Sequence, residues 1–164
     1  MSSHPPRSIP LPVSGPPPEI DTTVWYADGL QFACTQCGNC CTGSPGYVWL
    51  TLDDMERIAG YLRLSFDDFT RTYVRRVGER FALLEKSNYD CTFLQPDGKG
   101  KAGCRIYPVR PVQCRTWPFW TENLKSTSAW ERASGTCPGM RDKSAPHYAL
   151  DHIETCRQHP ESPR

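Results

Sequence analysis

The sequence of 164 residues contains no long hydrophobic run. A helix that crosses a membrane needs roughly 20 consecutive apolar residues, and no stretch approaches that length. The N-terminus also lacks the charged region and the following apolar segment of a secretory signal peptide. We therefore expect a cytoplasmic protein with no membrane partner.

An excess of charge of either sign is also missing, because the formal net charge is only +1. Domains that bind nucleic acids usually concentrate Lys and Arg on one face and are basic as a whole. The near-neutral balance therefore predicts no nucleic-acid partner.

Apolar residues are scarce, at 38% of the chain, whereas proline is frequent. Seven of the sixteen prolines fall within residues 1–20, a segment with little that could fill a core. We expect a disordered Pro-rich tail over residues 1–22, one domain over residues 23–158 and a disordered C-terminus over residues 159–164. A domain with so lean a core is helped by a metal or by cross-links.

Cysteine is the residue type present in excess, with nine in the chain. A reducing cytosol keeps thiols free, so these residues are expected to be metal ligands or reactive thiols in preference to disulfides. The odd number also leaves one cysteine without a partner. The composition therefore favours a metal-binding protein.

Four of the nine cysteines lie within eight residues: Cys34, Cys37, Cys40 and Cys41. Spacings of two residues let a loop curl so that its thiolates converge on one cation, and Gly38 removes a Cβ that would obstruct the curl. Adjacent side chains tend to point in different directions, so we expect Cys40 and Cys41 to serve different metals, a larger cluster, or packing.

Four further cysteines lie downstream. Cys91 and Cys104 are expected on the two arms of a hairpin that turns at residues 96–100. Cys114 falls on a short helix or turn, and Cys137 opens a Cys-Pro-Gly loop. The predicted metal ligands are Cys34, Cys37, Cys40, Cys41, Cys91, Cys104, Cys114 and Cys137. They could form two four-thiolate sites or one multinuclear site.

The surroundings of these cysteines suit buried thiolates. Arg105 and Arg115 each follow a cysteine, and Arg110 lies between them, so they could offset thiolate charge or simply lie on the surface. The aromatic segment at residues 117–120 could form the apolar wall that a shielded site needs.

Local patterns predict a small, irregular α+β domain, with short strands and helices organised around a cysteine metal centre. The predicted elements are a strand at 47–51, a helix capped by Thr51 and Asp54, a helix from Ser65 to near Gly78, a strand at 81–86, the hairpin, and a helix opening at Ser144. In the last helix His152 and Cys156 share a face. We interpret them as a half-exposed histidine and a buried cysteine, not as a metal pair.

The ordered motifs resemble a known family. They are Phe32-Ala-Cys34-x2-Cys37-Gly38-x-Cys40-Cys41, then Cys91-Thr-Phe-Leu, then Cys104-Arg-Ile-Tyr-Pro-Val-Arg-Pro-Val-Gln-Cys114-Arg-x-Trp-Pro-Phe, and finally Cys137-Pro-Gly. This combination resembles the YkgJ-type cysteine-cluster proteins, the CxxCxxCC family of zinc- or iron-chelating domains. The resemblance spans residues 32–139 and implies a mostly bacterial, intracellular metal-binding domain. The same module is similar to that of flagellin lysine N-methylases, which implies that some relatives support chemistry with an iron-sulfur centre.

Two functions remain open from the sequence. In the first, the chain is a metal-binding protein whose thiolates hold an iron-sulfur cluster or iron, with zinc as the alternative metal. Iron is favoured by the doubled cysteine, by the cluster-like Cys34, Cys37 and Cys40 triplet, and by the methylase resemblance. In the second, the same centre serves a metal-dependent oxidoreductase or a lysine methylase-like enzyme. No catalytic residue, substrate or protein partner is assigned.

Overall fold

The computed structural model describes residues 20–43, 45–96 and 102–159. The predicted Pro-rich tail lies outside the described residues up to residue 19, and the predicted disordered C-terminus lies outside them from residue 160. The helices are α1 (Leu52–Leu62), α2 (Phe66–Tyr73), α3 (Val112–Thr116), α4 (Thr121–Leu124), α5 (Thr127–Thr136) and α6 (Leu150–Gln158). The strands are β1 (Leu30–Gln31), β2 (Trp49–Leu50), β3 (Val74–Val77), β4 (Arg80–Leu83), β5 (Leu94–Pro96), β6 (Ala102–Cys104) and β7 (His147–Tyr148). Short 3₁₀ turns occupy Asn39–Cys41, Tyr107–Val109 and Pro138–Met140.

Side-chain caps start α1 and α2 where the sequence predicts them. The Thr51 hydroxyl accepts a hydrogen bond from the Asp54 amide at 3.0 Å, and the Asp54 carboxylate accepts one from the Thr51 amide at 3.2 Å. This reciprocal capping box satisfies two amides that lack partners within the helix. The Ser65 hydroxyl accepts from the Asp68 amide in the same way. Both predicted helix starts are confirmed.

The predicted end of α2 near Gly78 is wrong, because the helix ends at Tyr73. The next four residues form β3, which pairs antiparallel with β4 through a two-residue turn at Gly78 and Glu79. Gly78 has φ +59°, a conformation that suits tight hairpin turns. β4 also pairs with β2, which gives a three-stranded sheet in the order β2-β4-β3.

The predicted C-terminal helix starts six residues later than expected. His147 and Tyr148 form β7, which pairs with β1 in the register Leu30 to Tyr148. α6 therefore begins only at Leu150. The strand that pairs with β7 is β1, more than a hundred residues away in the chain. No local pattern therefore marks the start of α6.

Two clusters of buried side chains divide the domain. The terminal cluster joins residues from both ends of the described chain: Tyr26, Phe32, Phe119, Leu124, Cys137, Met140, Ile153 and Cys156. The central cluster is built from the middle of the chain: Leu50, Met55, Ile58, Ala59, Phe69, Leu83, Phe93 and Ile106. Cys34 packs against the terminal cluster, whereas Cys91 and Cys104 pack against the central cluster. Partly buried cysteines thus pack against both clusters.

The expected small α+β fold is confirmed, with short antiparallel strands in small sheets. Among the helices of the described ranges, none combines the length and apolar character needed to cross a membrane.

Candidate metal centre

All eight predicted ligand cysteines line one cavity of about 110 Å³. Every cysteine of the chain is a free thiol. Of the eight, Cys40 is exposed, Cys137 is buried and the other six are half-buried. The fold therefore collects thiols from segments up to a hundred residues apart, while their role as ligands stays a prediction.

The ninth thiol, Cys156, lies apart from the cavity, in the terminal cluster. Its sulfur is 3.6 Å from His152 Nε2, and it is 3% exposed. This matches the interpretation of a buried cysteine beside a half-exposed histidine.

The N-terminal cysteines approach the cavity through a turn that needs glycine. Gly38 has φ +78°, and a Cβ built there would lie 2.8 Å from Leu94 Cδ1. It leads directly into the 3₁₀ turn that carries Cys40 and Cys41, in which the Cys41 amide donates to the Gly38 carbonyl at 2.9 Å. The expectation that a Cβ at position 38 would obstruct this turn, and that glycine avoids the obstruction, is confirmed.

The predicted hairpin exists, but only one of its arms carries a cysteine. Cys104 ends β6 and is paired with Leu94 of β5. Cys91 lies three residues before β5, and forms an isolated antiparallel bridge with Glu85. Its amide donates to the Cys41 carbonyl at 2.7 Å. The predicted turn at residues 96–100 falls largely outside the described residues.

The last two cysteines are positioned by α3 and by a close backbone contact. Cys114 lies on α3, as expected. Cys137 is the C-cap residue that follows α5, an element that the sequence patterns did not predict. Beside it, Gly139 approaches the N-terminal segment so closely that an added Cβ would overlap the Ala33 carbonyl oxygen. The Ala33 amide donates to the Gly139 carbonyl at 3.1 Å, which holds the Cys137 loop against the segment before Cys34.

The doubled cysteine differs from expectation. The sulfurs of Cys40 and Cys41 do not point apart but lie 3.7 Å from each other. A hydrogen bond from the Cys41 thiol lowers the pKa of Cys40 to about 7, with help from the Arg110 guanidinium and against the effect of burial. The same hydrogen bond and burial raise the pKa of Cys41. Within this pair, Cys40 is therefore the thiol that ionises first.

Burial raises the pKa of the other central cysteines. It raises the pKa of Cys91, raises that of Cys104 to about 11, and raises that of Cys114 well above its usual range. The pKa of Cys137 is raised by burial as well, partly offset by a hydrogen bond from the Trp117 indole. A metal binds thiolates, so these protons must leave when one is bound.

Among the residues that the structure describes, Arg110 is the cation that lines the cavity. Its Nη1 lies 3.8 Å from the Cys34 sulfur, and its guanidinium lies 3.8 Å from the centre of the Tyr107 ring. The Tyr107 hydroxyl is hydrogen-bonded to Cys34, and its pKa is raised to about 12 by burial and by that bond. The sequence offered no signal for Tyr107.

The two arginines adjacent to cysteines in sequence do not line the cavity. Arg105 is exposed. Arg115 is half-buried among other cations, and burial followed by the charge of Arg57 lowers its pKa. Of the three arginines that the sequence places near the cysteines, Arg110 is the one that lines the cavity.

The donors are gathered but not yet arranged around a point. Among residues 20–43, 45–96 and 102–159, no three Cys, His, Asp or Glu side chains form a group that could hold a metal ion as they stand. The donor chemistry nevertheless fits a soft metal, because thiolates select zinc, iron and iron-sulfur clusters over hard cations. Metal binding would require side-chain rotation within the cavity.

A second cavity of about 210 Å³ reaches four of these eight thiols. Cys40, Cys41, Cys91 and Cys114 line both cavities. Trp117 and Trp120 of the predicted aromatic wall line the second one. Phe119, the third aromatic residue of that wall, is instead buried in the terminal cluster. Trp117 and Trp120 thus border the path to the thiols, whereas Phe119 packs in the hydrophobic core.

A small α+β fold that gathers eight thiols around one cavity defines a cysteine-cluster domain. A family model described as "Putative zinc- or iron-chelating domain" matches residues 33–138, and the chain belongs to this CxxCxxCC family. The chain is also similar to an uncharacterized protein of Methanocaldococcus jannaschii, with 37% identity over 94 residues, which cover 57% of this chain. The match covers 48% of that relative, so the chain spans about half its length. No solved structure matches this chain at a significant level.

Proposed function

We propose that the chain binds iron through the eight cavity cysteines, as an iron-sulfur cluster or as iron ions, with zinc as the competing occupant. The observation that supports this most is that all eight thiols line a single cavity. Membership of a family described as zinc- or iron-chelating points the same way.

The number of thiols favours more than one simple ion. One tetrahedral zinc ion takes four thiolates, so eight provide for two ions or for a multinuclear centre. A bound iron centre would supply electron transfer, and any bound metal would cross-link the segments that carry its ligands. The chain's own contribution is to gather the thiols, place Arg110 beside them and cover them with Trp117.

Metal binding would also stabilise a domain with few apolar residues. Apparent binding free energies of structural zinc are about 10–16 kcal/mol, comparable to the roughly 5–15 kcal/mol of net stability of a typical domain. The terminal and central clusters each contribute cysteines to the cavity, so a metal that uses both sets would tie them together.

Serine variants test the proposal. Cys37→Ser and Cys114→Ser should each lose metal, measured as iron and zinc per chain in protein purified without oxygen. Cys156→Ser is the matched control, because this thiol is buried outside the cavity, and it should keep the full content. Unchanged metal content in Cys37→Ser or Cys114→Ser would contradict the eight-thiol site.

The second cavity favours one further candidate function. It opens a path to Cys40, Cys41, Cys91 and Cys114, as a metal-dependent oxidoreductase or a lysine methylase-like enzyme would need. Azide should then shift the visible spectrum of the iron-loaded protein. The shift should weaken in Leu84→Phe, which narrows only this cavity. A spectrum insensitive to azide would leave the structural metal site as the function.

A further inference from the structure

The spacing of the Cys40 and Cys41 sulfurs carries an inference about how the metal is held. In a tetrahedral thiolate site with metal-sulfur bonds of about 2.3 Å, two ligand sulfurs are separated by about 3.8 Å. The observed separation is 3.7 Å. While both groups are thiols, a shared S–H···S hydrogen bond spans this distance.

We propose that Cys40 and Cys41 bind one and the same metal ion as a two-sulfur chelate, with Cys91 and Cys114 as its remaining ligands. This inference rests on the proposed function, since it assigns ligands within that site.

The backbone preorganises the chelate. Gly38 adopts the left-handed conformation, and the Cys41 amide closes the turn onto its carbonyl at 2.9 Å. The two adjacent thiols therefore lie on a short 3₁₀ turn that already brings their sulfurs together. Ligands held in place before binding lose less conformational entropy when the metal arrives.

Cys91 and Cys114 are the best candidates for the other two positions. They are the only other cysteines that line both cavities, so all four thiols lie where the two cavities meet. The Cys91 amide bonds directly to the Cys41 carbonyl at 2.7 Å.

The remaining step is rotation of side chains. No three donors within the described ranges already surround one point, so Cys91 and Cys114 must turn about χ1 to complete the site. The pair at residues 40 and 41 would act as the fixed half of the site. The four cysteines that line only the first cavity, Cys34, Cys37, Cys104 and Cys137, are left for a second centre.

The chelate restricts the type of centre. A [4Fe–4S] cluster held by four cysteines uses one per iron, so two of its ligands cannot share an ion. A [2Fe–2S] cluster held by four cysteines uses two per iron, and a single zinc or iron ion uses four. Since Cys91 and Cys114 are the remaining ligands of the same ion, the four cysteines together fit a single zinc or iron ion, which takes four thiolates.

Cadmium-113 NMR on the full chain tests the chelate directly. After loading with ¹¹³Cd²⁺, the β-protons of Cys40 and Cys41 should both show scalar coupling to one and the same cadmium resonance. The β-protons of Cys91 and Cys114 should couple to that resonance as well. Coupling of Cys40 and Cys41 to two different cadmium resonances, or coupling of only one of them, would overturn the inference.

Cadmium stoichiometry gives an independent check. Cys40→Ser, Cys41→Ser and the double variant should each lose the same single equivalent of bound cadmium, whereas Cys156→Ser should lose none. Loss of a further equivalent in the double variant would mean separate ions. If the unaltered chain bound no cadmium, and contained no iron or zinc as purified, the proposed function itself would fail.

Discussion

The two hydrophobic clusters on either side of the thiol cavity are built in different ways. The central cluster comes from residues 50–106, where capped helices and a three-stranded sheet follow one another along the chain. The terminal cluster joins segments about a hundred residues apart, through the β1-β7 pair and through the Trp25 indole, which donates to the Leu124 carbonyl at 2.7 Å. Local contacts are made with less loss of chain entropy than distant ones. We infer that the central cluster holds its structure alone and that the terminal cluster depends on the metal.

Removing the metal should have the largest effect. Chelation should release amide protection in α6 and β7 of the terminal cluster, while α1 and α2 keep most of theirs, because only the terminal cluster lacks local support. The binding energy at stake is on the order of 10 kcal/mol. Hydrogen exchange followed by mass spectrometry, with and without chelator, measures the change in amide protection of each cluster. Equal loss of protection in both clusters would contradict the comparison.

Matched Phe→Ala substitutions should separate the two clusters next. Phe69 is 0% exposed in the central cluster and Phe119 is 3% exposed in the terminal one. Each substitution should reduce the free energy of unfolding by about 3–5 kcal/mol. Hydrogen exchange should show that Phe119→Ala loosens only the terminal cluster, whereas Phe69→Ala loosens both. If Phe119→Ala also released α1 and α2, the central cluster would not be independent.

Two Gly→Ala substitutions should change the free energy of unfolding in opposite directions. Gly139→Ala pushes a Cβ into the Ala33 carbonyl, so it should destabilise the protein by about 1–3 kcal/mol and separate Cys137 from Cys34. Gly60 lies in α1 with open space around it, and Gly60→Ala should stabilise by about 0.5–1 kcal/mol through helix propensity. Urea unfolding measures both changes. A neutral Gly139→Ala would show that the close backbone contact is not needed.

Acid should loosen the terminal cluster through Glu154. This carboxylate is 1% exposed and accepts hydrogen bonds from Tyr26, Arg157 and Gln158. Burial alone would raise its pKa, but these bonds outweigh burial and lower it. The stabilisation is therefore complete above the unfolded-state pKa of about 4.3 and is lost as pH falls through the lower folded-state value.

The variant Glu154→Gln should reduce the free energy of unfolding at neutral pH by roughly 2 kcal/mol and should remove this acid dependence. Glu122→Gln is the matched control, since its ion pair with Lys125 is exposed and should contribute less than about 1 kcal/mol. Urea unfolding at pH 7 and in steps from pH 5 down to pH 3 compares the two, because the loss falls below the unfolded-state pKa. An acid dependence that survives in Glu154→Gln would have to come from another group.

The sequence predicts the central half of the fold better than the terminal half, for the same physical reason. Thr51 and Ser65 announce α1 and α2 because a cap acts within three residues. β7 cannot be recognised locally, because its partner is β1 at the other end of the domain. α5 carries few apolar residues at helical spacing, so no clear period marks it.

The candidate site shows a similar division. Cysteine spacing names all eight thiols that line the cavity. It does not reveal that Arg110, and neither Arg105 nor Arg115, faces them, because that depends on how the chain turns at residues 107–111. Nor does it reveal the close approach of the Cys40 and Cys41 sulfurs, which follows from the turn conformation set by Gly38.

The most direct test of the account is the metal content of the full chain purified without oxygen, measured together with acid-labile sulfide and the visible spectrum. The account predicts bound metal at up to two centres per chain, with iron, sulfide and a brown colour if the occupant is a cluster. Colourless protein with stoichiometric zinc would support the thiol site but would show that its metal is zinc and not iron. Protein that holds neither metal and whose cavity cysteines are oxidised to disulfides would contradict the central claim.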